Sequence, residues 1–285
     1  METIKPPSHA AVHTLSVFVH RQVYRVRAGD ARCAFWSRVS DGRWEPQTFE
    51  VFQRFLRPDR SCIDLGAWIG PTVLYGAGLS RCVHALEPDP VAFDELDRNV
   101  AVNPALQTKI HLHPFGIGAQ TGPLQLYAGG FYYGQQSQFG DSMSGMFPAP
   151  GTVDQPCREV QGMDMERFLE VHAINDCNFI KMDIEGGEYA VIPGLWHRLQ
   201  RFGMPTLYVS FHAPELARRE ALIGACVEEL LLSYPRFYSA AGAQAVALEQ
   251  CVHAVRDWGD EAPGSPWRAL EDLLGAGLVA TAEEW

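Results

Sequence analysis

The sequence predicts an α/β chain: an open, mostly parallel sheet with helices on both faces and a ligand crevice where its strands end. Three observations predict it. Short apolar runs alternate with helix-period segments from Ser61 to Val102. The first run ends in Asp64-Leu65-Gly66-Ala67-Trp68-Ile69-Gly70, a glycine turn into a helix. The second ends in a carboxylate, Ala85-Leu86-Glu87-Pro88-Asp89.

The elements follow in order. Leu15–Val26 and Cys33–Val39 alternate apolar and polar residues and read as strands, with Gly29-Asp30 as the turn between them. Gln47–Leu56 reads as a helix after Trp44-Glu45-Pro46. Together they make a cap, residues 1–56, ahead of an α/β domain at 57–253. In that domain Ser61–Leu65 is the first strand. Pro71–Leu79 is a helix with proline in its first turn, where a missing N–H costs nothing. Cys82–Glu87 is the second strand. Pro90–Val102 is the next helix, with Asp89 as N-cap and Phe93, Leu96 and Val100 on one face. Ile110–Phe115 is the third strand.

The alternation then breaks for an insertion, 116–177, the expected acceptor-binding region. It contains a hairpin signal at Thr121-Gly122-Pro123, a short strand near Arg158–Gln161 and a helix at Asp164–Val171. Its Gly- and aromatic-rich stretch Tyr127–Phe147, including Gly129–Gly134, reads as a substrate-side loop. Asn178–Asp183 is the fourth strand and Tyr189–Leu195 a helix. Thr206–Phe211 is the fifth strand, ending at His212, and Leu216–Leu232 is an amphipathic helix. A hairpin of Arg236–Ser239 with Ala245–His253 follows. The tail, 254–285, holds a Pro/Gly-rich stretch, Ala262–Pro266, and a short helix from Trp267.

At 285 residues with 47% hydrophobic content, the chain can bury a substantial core. A net charge of −11, with three lysines in all (Lys5, Lys109, Lys181), argues against nucleic-acid binding, which needs clustered cations. No apolar run approaches the roughly 20 residues that span a bilayer. Met1–Ala10 lacks the plan of a signal peptide. The 7 cysteines show no C-x-x-C pair, and Cys62 and Cys82 read as small core residues of a reducing, cytoplasmic compartment.

The carboxyl ends of the strands carry Asp64, Glu87, Phe115, Asp183 and His212. Glycine at 66 and 70 lets the backbone turn sharply and approach a ligand. Glu87 is placed to accept charge-assisted hydrogen bonds from two ribose hydroxyls, each worth about 1.5–3 kcal/mol. A dinucleotide site would want G-x-G-x-x-G under a pyrophosphate. Here Trp68 crowds that position and Asp64 would repel the phosphates. S-adenosylmethionine carries an ammonium and a sulfonium and no phosphate, so the charge pattern favours it over NAD. Asp64 would then hold the ammonium, Gly66, Ala67 and Gly70 would allow close approach, and Pro88, Asp89, Phe115 and Gly116 would border the adenine. Asp183 is assigned to both cofactor and catalysis.

Lys181, Asp183, Glu185 and Glu188 crowd ionisable groups beside two glycines. Glu188 is explained by the helix it precedes. Asp183 and Glu185 are candidate catalytic groups, with His212 as general base taking the proton of an acceptor hydroxyl. Alternatively the three bind a divalent cation that acidifies that hydroxyl. The other histidines, His84, His111, His113 and His172 among them, show no ligand spacing.

At these residues the chain resembles the FkbM family of S-adenosylmethionine-dependent methyltransferases. The matching blocks are Trp44-Glu45-Pro46 with Thr48-Phe49, Ile63–Thr72, Ala85–Pro90, Asn99-Val100 with Asn103, and Phe179–Glu188. The resemblance implies a Rossmann-like class I methyltransferase fold whose seven-stranded sheet is parallel except for one late strand. It also implies O-methylation, of a sugar hydroxyl in a glycan, glycolipid or natural product. Methylation of a small amine, a NAD-dependent oxidoreductase and a non-catalytic interaction module are the rival readings.

Overall fold

The computed structural model describes residues 13–129, 138–148, 154–212, 219–241, 244–248 and 277–285. Its centre is an eight-stranded sheet. The strands run β3 (Ser61–Leu65), β4 (Cys82–Leu86), β5 (Ile110–His113), β9 (Cys177–Met182), β10 (Thr206–Val209), β11 (Arg236–Ser239), β12 (Gln244–Ala245) and β13 (Leu278–Thr281). Their order across the sheet is β12-β11-β13-β10-β9-β3-β4-β5. β5, β4, β3, β9 and β10 are mutually parallel. β13 lies antiparallel between β10 and β11. This is the Rossmann-like arrangement the resemblance implies, with the two-residue β12 added at one edge.

Within the expected C-terminal tail, 254–285, Leu278–Thr281 enters the sheet as β13 and is wholly buried there. Its four residues, Leu-Val-Ala-Thr, suit a strand covered on both faces. The proline-rich stretch and the short helix expected from Trp267 lie outside the described residues, as do Met1–Ala10 and 130–137.

The cap differs from expectation in two elements. Leu15–Val26 is two strands, β1 (His13–Val19) and β2 (Gln22–Ala28), paired antiparallel around His20-Arg21. Cys33–Val39, expected as a strand, is helix α1 (Asp30–Ser40). Its apparent alternation hid a three-residue spacing: Trp36 and Val39 are the buried pair, which is helical periodicity. Helix α2 (Pro46–Phe55) follows.

Helices cover both faces. On one, α2, α3 (Pro71–Leu79) and α4 (Pro90–Ala101) pack with the cap hairpin around Phe49, Phe52, Tyr75 and Phe179. On the other, α6 (Met165–Val171), a 3-10 helix (Trp196–Phe202) and α8 (Arg219–Ser233) pack around Phe168, Trp196 and Val227. The expected Tyr189–Leu195 helix is shorter, α7 (Glu188–Val191), and α5 (Pro104–Gln107) follows α4. The insertion builds its own sheet from β6 (Gly116–Ile117), β7 (Gly122–Tyr127) and β8 (Cys157–Met163), ordered β6-β8-β7. Bridges Tyr127↔Gly145 and Gly129↔Gln138 fold the expected loop back along it.

The chain leaves β3 for β4 in one direction and β9 for β10 in the other. The strand order therefore reverses between β3 and β9, and the crevice at their carboxyl ends is where such sheets bind ligands.

Candidate active site

Two turns build that crevice. After β3, Gly66 takes φ 78 and Gly70 takes φ 94, both in the left-handed region. A Cβ on Gly66 would stand 1.8 Å from the Asp183 carbonyl oxygen, so only glycine fits. After β9, Glu188 is wholly buried and accepts from the Ile184 N–H and the Gly186 N–H, both at 2.9 Å. That ties down the turn carrying Glu185. Trp68 (φ 47) and Glu185 (φ 51) are non-glycine residues in left-handed conformations, one in each turn. Such strain persists where surrounding contacts over-determine it.

A charged network lies between the turns. The Lys181 ammonium is 3.0 Å from Asp183 Oδ2 and 3.6 Å from Asp64 Oδ1. Thr72 donates to Asp64 Oδ2 at 2.6 Å. Burial alone would lower the Lys181 pKa, but Asp183 and then Asp64 outweigh it and hold it well above the usual lysine value. Burial works against Asp183 as well, yet Lys181 and His212 hold its carboxyl below the usual range. Burial pushes the Asp64 carboxyl up, with Lys181 opposing.

His212 faces the carboxylates. Nδ1 is 3.5 Å from Asp183 Oδ1 and Nε2 is 3.7 Å from Glu185 Oε1. Burial would lower the imidazole; Glu185 and Asp183 overcome it and lift it to about 10. Ligand atoms of Asp183, Glu185 and His212 all lie within 4.8 Å of one another, a set able to hold a metal ion.

Glu87 and Asp89 organise the crevice at the end of β4. Glu87 accepts from the Trp68 N–H at 2.7 Å and the Asp89 N–H at 2.8 Å. Burial nevertheless pushes its carboxyl up to about 7. Asp89 Oδ1 caps α4 through the Val91 and Ala92 N–H groups. Its other oxygen, Oδ2, accepts from the Gly140 N–H at 2.6 Å and the Ser144 hydroxyl at 2.9 Å. Trp68 Nε1 and the Arg32 guanidinium both donate to the Gly140 carbonyl. The inner part of the insertion loop is thus pinned over the crevice.

Two adjoining cavities result. One, of ≈ 330 Å³, is lined by Phe35, Trp44, Glu45, Gly66, Trp68, Lys181, Asp183, Glu185 and His212. The other, of ≈ 50 Å³, lies beside Glu87, Pro88 and Gly116 and is narrowed by Asp141, Ser142, Ser144, Gly145 and Met146. Gly66, Trp68, Ser142, Asp183 and Glu185 line both.

Most of the sequence-predicted residues converge here. Gly66, Ala67, Glu87, Pro88, Gly116, Asp183, Glu185 and His212 line one cavity or both. Asp64 lines neither and stands behind Lys181 and Thr72; Gly70 caps α3, and Asp89 is occupied by α4 and the loop. Phe115 packs among Phe168, His113 and His172. Sequence reasoning gave no role to Glu45 or its support. Thr48 donates to Glu45 at 3.0 Å and shares a 2.8 Å hydrogen bond with the Tyr208 hydroxyl. Burial, then Asp183, raises the Glu45 carboxyl. The Trp44-Glu45-Pro46 block was the available signal: it precedes the Gln47–Leu56 helix and forms part of the family resemblance, but no chemistry was assigned to it.

A Rossmann-like sheet with a glycine turn after its first strand, a buried carboxylate at the end of the second and a charged chamber at the switch point is the arrangement in which such folds bind nucleoside cofactors. A family model described as the methyltransferase FkbM domain matches residues 64–233. The chain belongs to the FkbM methyltransferase family, a family of S-adenosylmethionine-dependent enzymes. Among solved structures it is similar to the methyltransferase FkbM of Methylobacillus flagellatus KT: 17% identity, 70% of this chain and 49% of that one, TM-score 0.35. It is also similar to the M. jannaschii tRNA m1G37 methyltransferase: 10% identity, 70% of this chain and 43% of that one, TM-score 0.29. This chain thus spans less than half the length of both. No curated protein matches.

Proposed function

We propose that the protein transfers the methyl group of S-adenosylmethionine to an acceptor hydroxyl, that of a sugar in a glycan, glycolipid or natural product. One observation carries the reading. The ≈ 330 Å³ cavity joins the backbone turn at Gly66–Trp68 to the His212 cluster and to the rings of Phe35, Trp44 and Trp68. Aromatic faces beside hydrogen-bonding charges suit a polyol with apolar C–H faces.

The residues fit the cofactor's charge. Glu45, Asp183 and Glu185 face the cavity together with Arg38, Lys181 and His212, and these carboxylates are the groups that a ligand bearing an ammonium and a sulfonium would engage. Glu87 would accept the ribose hydroxyls, and Pro88 and Gly116 would border the base. Bound S-adenosylmethionine supplies an electrophilic methyl carbon. The chain's part is to align the acceptor with it, which contributes about 7–11 kcal/mol, and to remove the hydroxyl proton.

His212 is the proposed base, with Asp183 and Glu185 orienting it and Lys181 holding Asp183 ionised. Asp64 acts through Lys181 as a positioning residue. The same three groups as ligands of a divalent cation are the second reading, favoured by their 4.8 Å spacing. Methyl transfer that survives dialysis against a chelator supports the base.

The test is calorimetry with S-adenosylmethionine and NAD, then transfer of isotope-labelled methyl to matched sugar and amine acceptors. Cofactor binding with label on sugar oxygen is expected. Label only on amines would overturn the acceptor assignment, and no binding of S-adenosylmethionine would overturn the enzyme reading.

A further inference from the structure

A second set of chemistry-bearing side chains lies at the other end of β4 from Glu87. In the parallel β4–β5 ladder His84 pairs with His111, so the two imidazoles leave the sheet on the same face. Cys82, two residues before His84, shares that face. We propose that Cys82, His84 and His111 bind a divalent transition-metal ion, zinc by the character of the ligands.

The geometry is close to what such an ion needs. One ligand atom from each residue lies within 4.8 Å of the others. Cys82 Sγ is 3.9 Å from His84 Nε2. Tetrahedral zinc, with bonds of about 2.3 Å to sulfur and 2.0 Å to nitrogen, sets those atoms roughly 3.6 Å apart. That contact needs to close by only a few tenths of an ångström, and His111 by about one ångström more. A thiolate with two imidazoles suits zinc better than the oxygen-seeking magnesium or calcium.

The surroundings hold the ligands in place. His84 Nδ1 is hydrogen-bonded to His113 Nε2 at 3.2 Å, which turns the other ring nitrogen, Nε2, toward Cys82. Fixing a ligand histidine through its second ring nitrogen is the usual support of metal sites. Phe168 packs edge-on to His84 at 6.1 Å; the exposed His111 ring stacks on His84 at 4.8 Å, 21° from parallel, so it must rotate to bring its nitrogen onto an ion held by Cys82 and His84. Cys82 and His84 are buried, whereas His111 is exposed on the edge strand and provides the entry route. The neighbouring Arg81 cation is neutralised by Asp176 at 2.5 Å. On binding, the Cys82 thiol proton leaves to solvent, the imidazoles coordinate as neutral donors, and the fourth position on the exposed side is left to water.

Cobalt(II) reports on such a site directly. The full chain, stripped with a chelator, should take up one equivalent of Co²⁺ and show thiolate-to-cobalt charge transfer with tetrahedral ligand-field bands. Zinc should displace it. The charge-transfer band should vanish in Cys82→Ser, and affinity should fall at least tenfold in His111→Ala, a surface substitution that leaves the fold intact even if the cysteine variant does not fold. His212→Ala should retain the band. Absence of the band in the unmodified chain, unchanged binding in His111→Ala, or loss of binding in His212→Ala would each overturn the proposal, the last by placing the metal in the crevice.

Discussion

Gly66 and Asp183 lock the two turns of the crevice together: a Cβ at position 66 would meet the carbonyl oxygen of Asp183 at 1.8 Å. The obstacle is backbone, which cannot swing aside as a side chain could. Gly66→Ala is expected to destabilise the fold by about 2–4 kcal/mol, through the clash and the left-handed φ together. Urea denaturation measures the loss, and S-adenosylmethionine affinity should fall with it.

Lys181 is buried between two carboxylates. Lys181→Met would leave Asp64 without a cation and Asp183 with His212 alone, at a cost of about 3–5 kcal/mol. A double variant, Lys181→Met with Asp64→Asn, should recover part of that in chemical denaturation, because it removes one of the stranded charges.

Glu87 links stability and cofactor binding with opposite signs. Its folded pKa, about 7, lies above the ordinary 4.5. The folded state therefore holds the proton more tightly than the unfolded chain. This contribution is fully present below pH 4.5 and is lost as pH rises through about 7. The ionised carboxylate is the better acceptor for ribose hydroxyls, so S-adenosylmethionine should bind more tightly across that same interval. Glu87→Gln should flatten both slopes, read by thermal melts and calorimetry over pH.

Asp89 serves helix and loop with different oxygens. Asp89→Asn can still cap α4, so stability should drop by less than the 0.5–2 kcal/mol typical of losing a cap. Its amide NH₂ would, however, confront the Gly140 N–H. Hydrogen exchange at 138–146 should accelerate in Asp89→Asn, and Asp89→Ala should add the helix loss.

Replacing His212 with alanine is expected to lower the methyl-transfer rate about 10²–10⁴-fold while S-adenosylmethionine binding persists. Since Glu185 and Asp183 keep the imidazole protonated up to about pH 10, the unmodified rate should climb with pH toward that value. A pH profile that keeps its shape in His212→Ala would assign the base elsewhere.

The sequence by itself determined the parallel core and its crevice. Gly66, Gly70, Pro71, Asp89 and the alternating apolar runs act through local backbone preferences, which a linear reading detects. It also located Glu87, Asp183, Glu185 and His212, because strand ends are legible where apolar runs stop. Tertiary structure decided what is non-local. The burial of Trp36 and Val39 made a helix of Cys33–Val39, and Leu278–Thr281 became an inner strand only because β10 and β11 leave a gap between them. Glu45 entered the chamber, Asp64 was drawn behind Lys181, and His84 met His111 only through the pairing of two strands. Side-chain contacts between residues distant in sequence depend on strand order and register, and no local spacing encodes either.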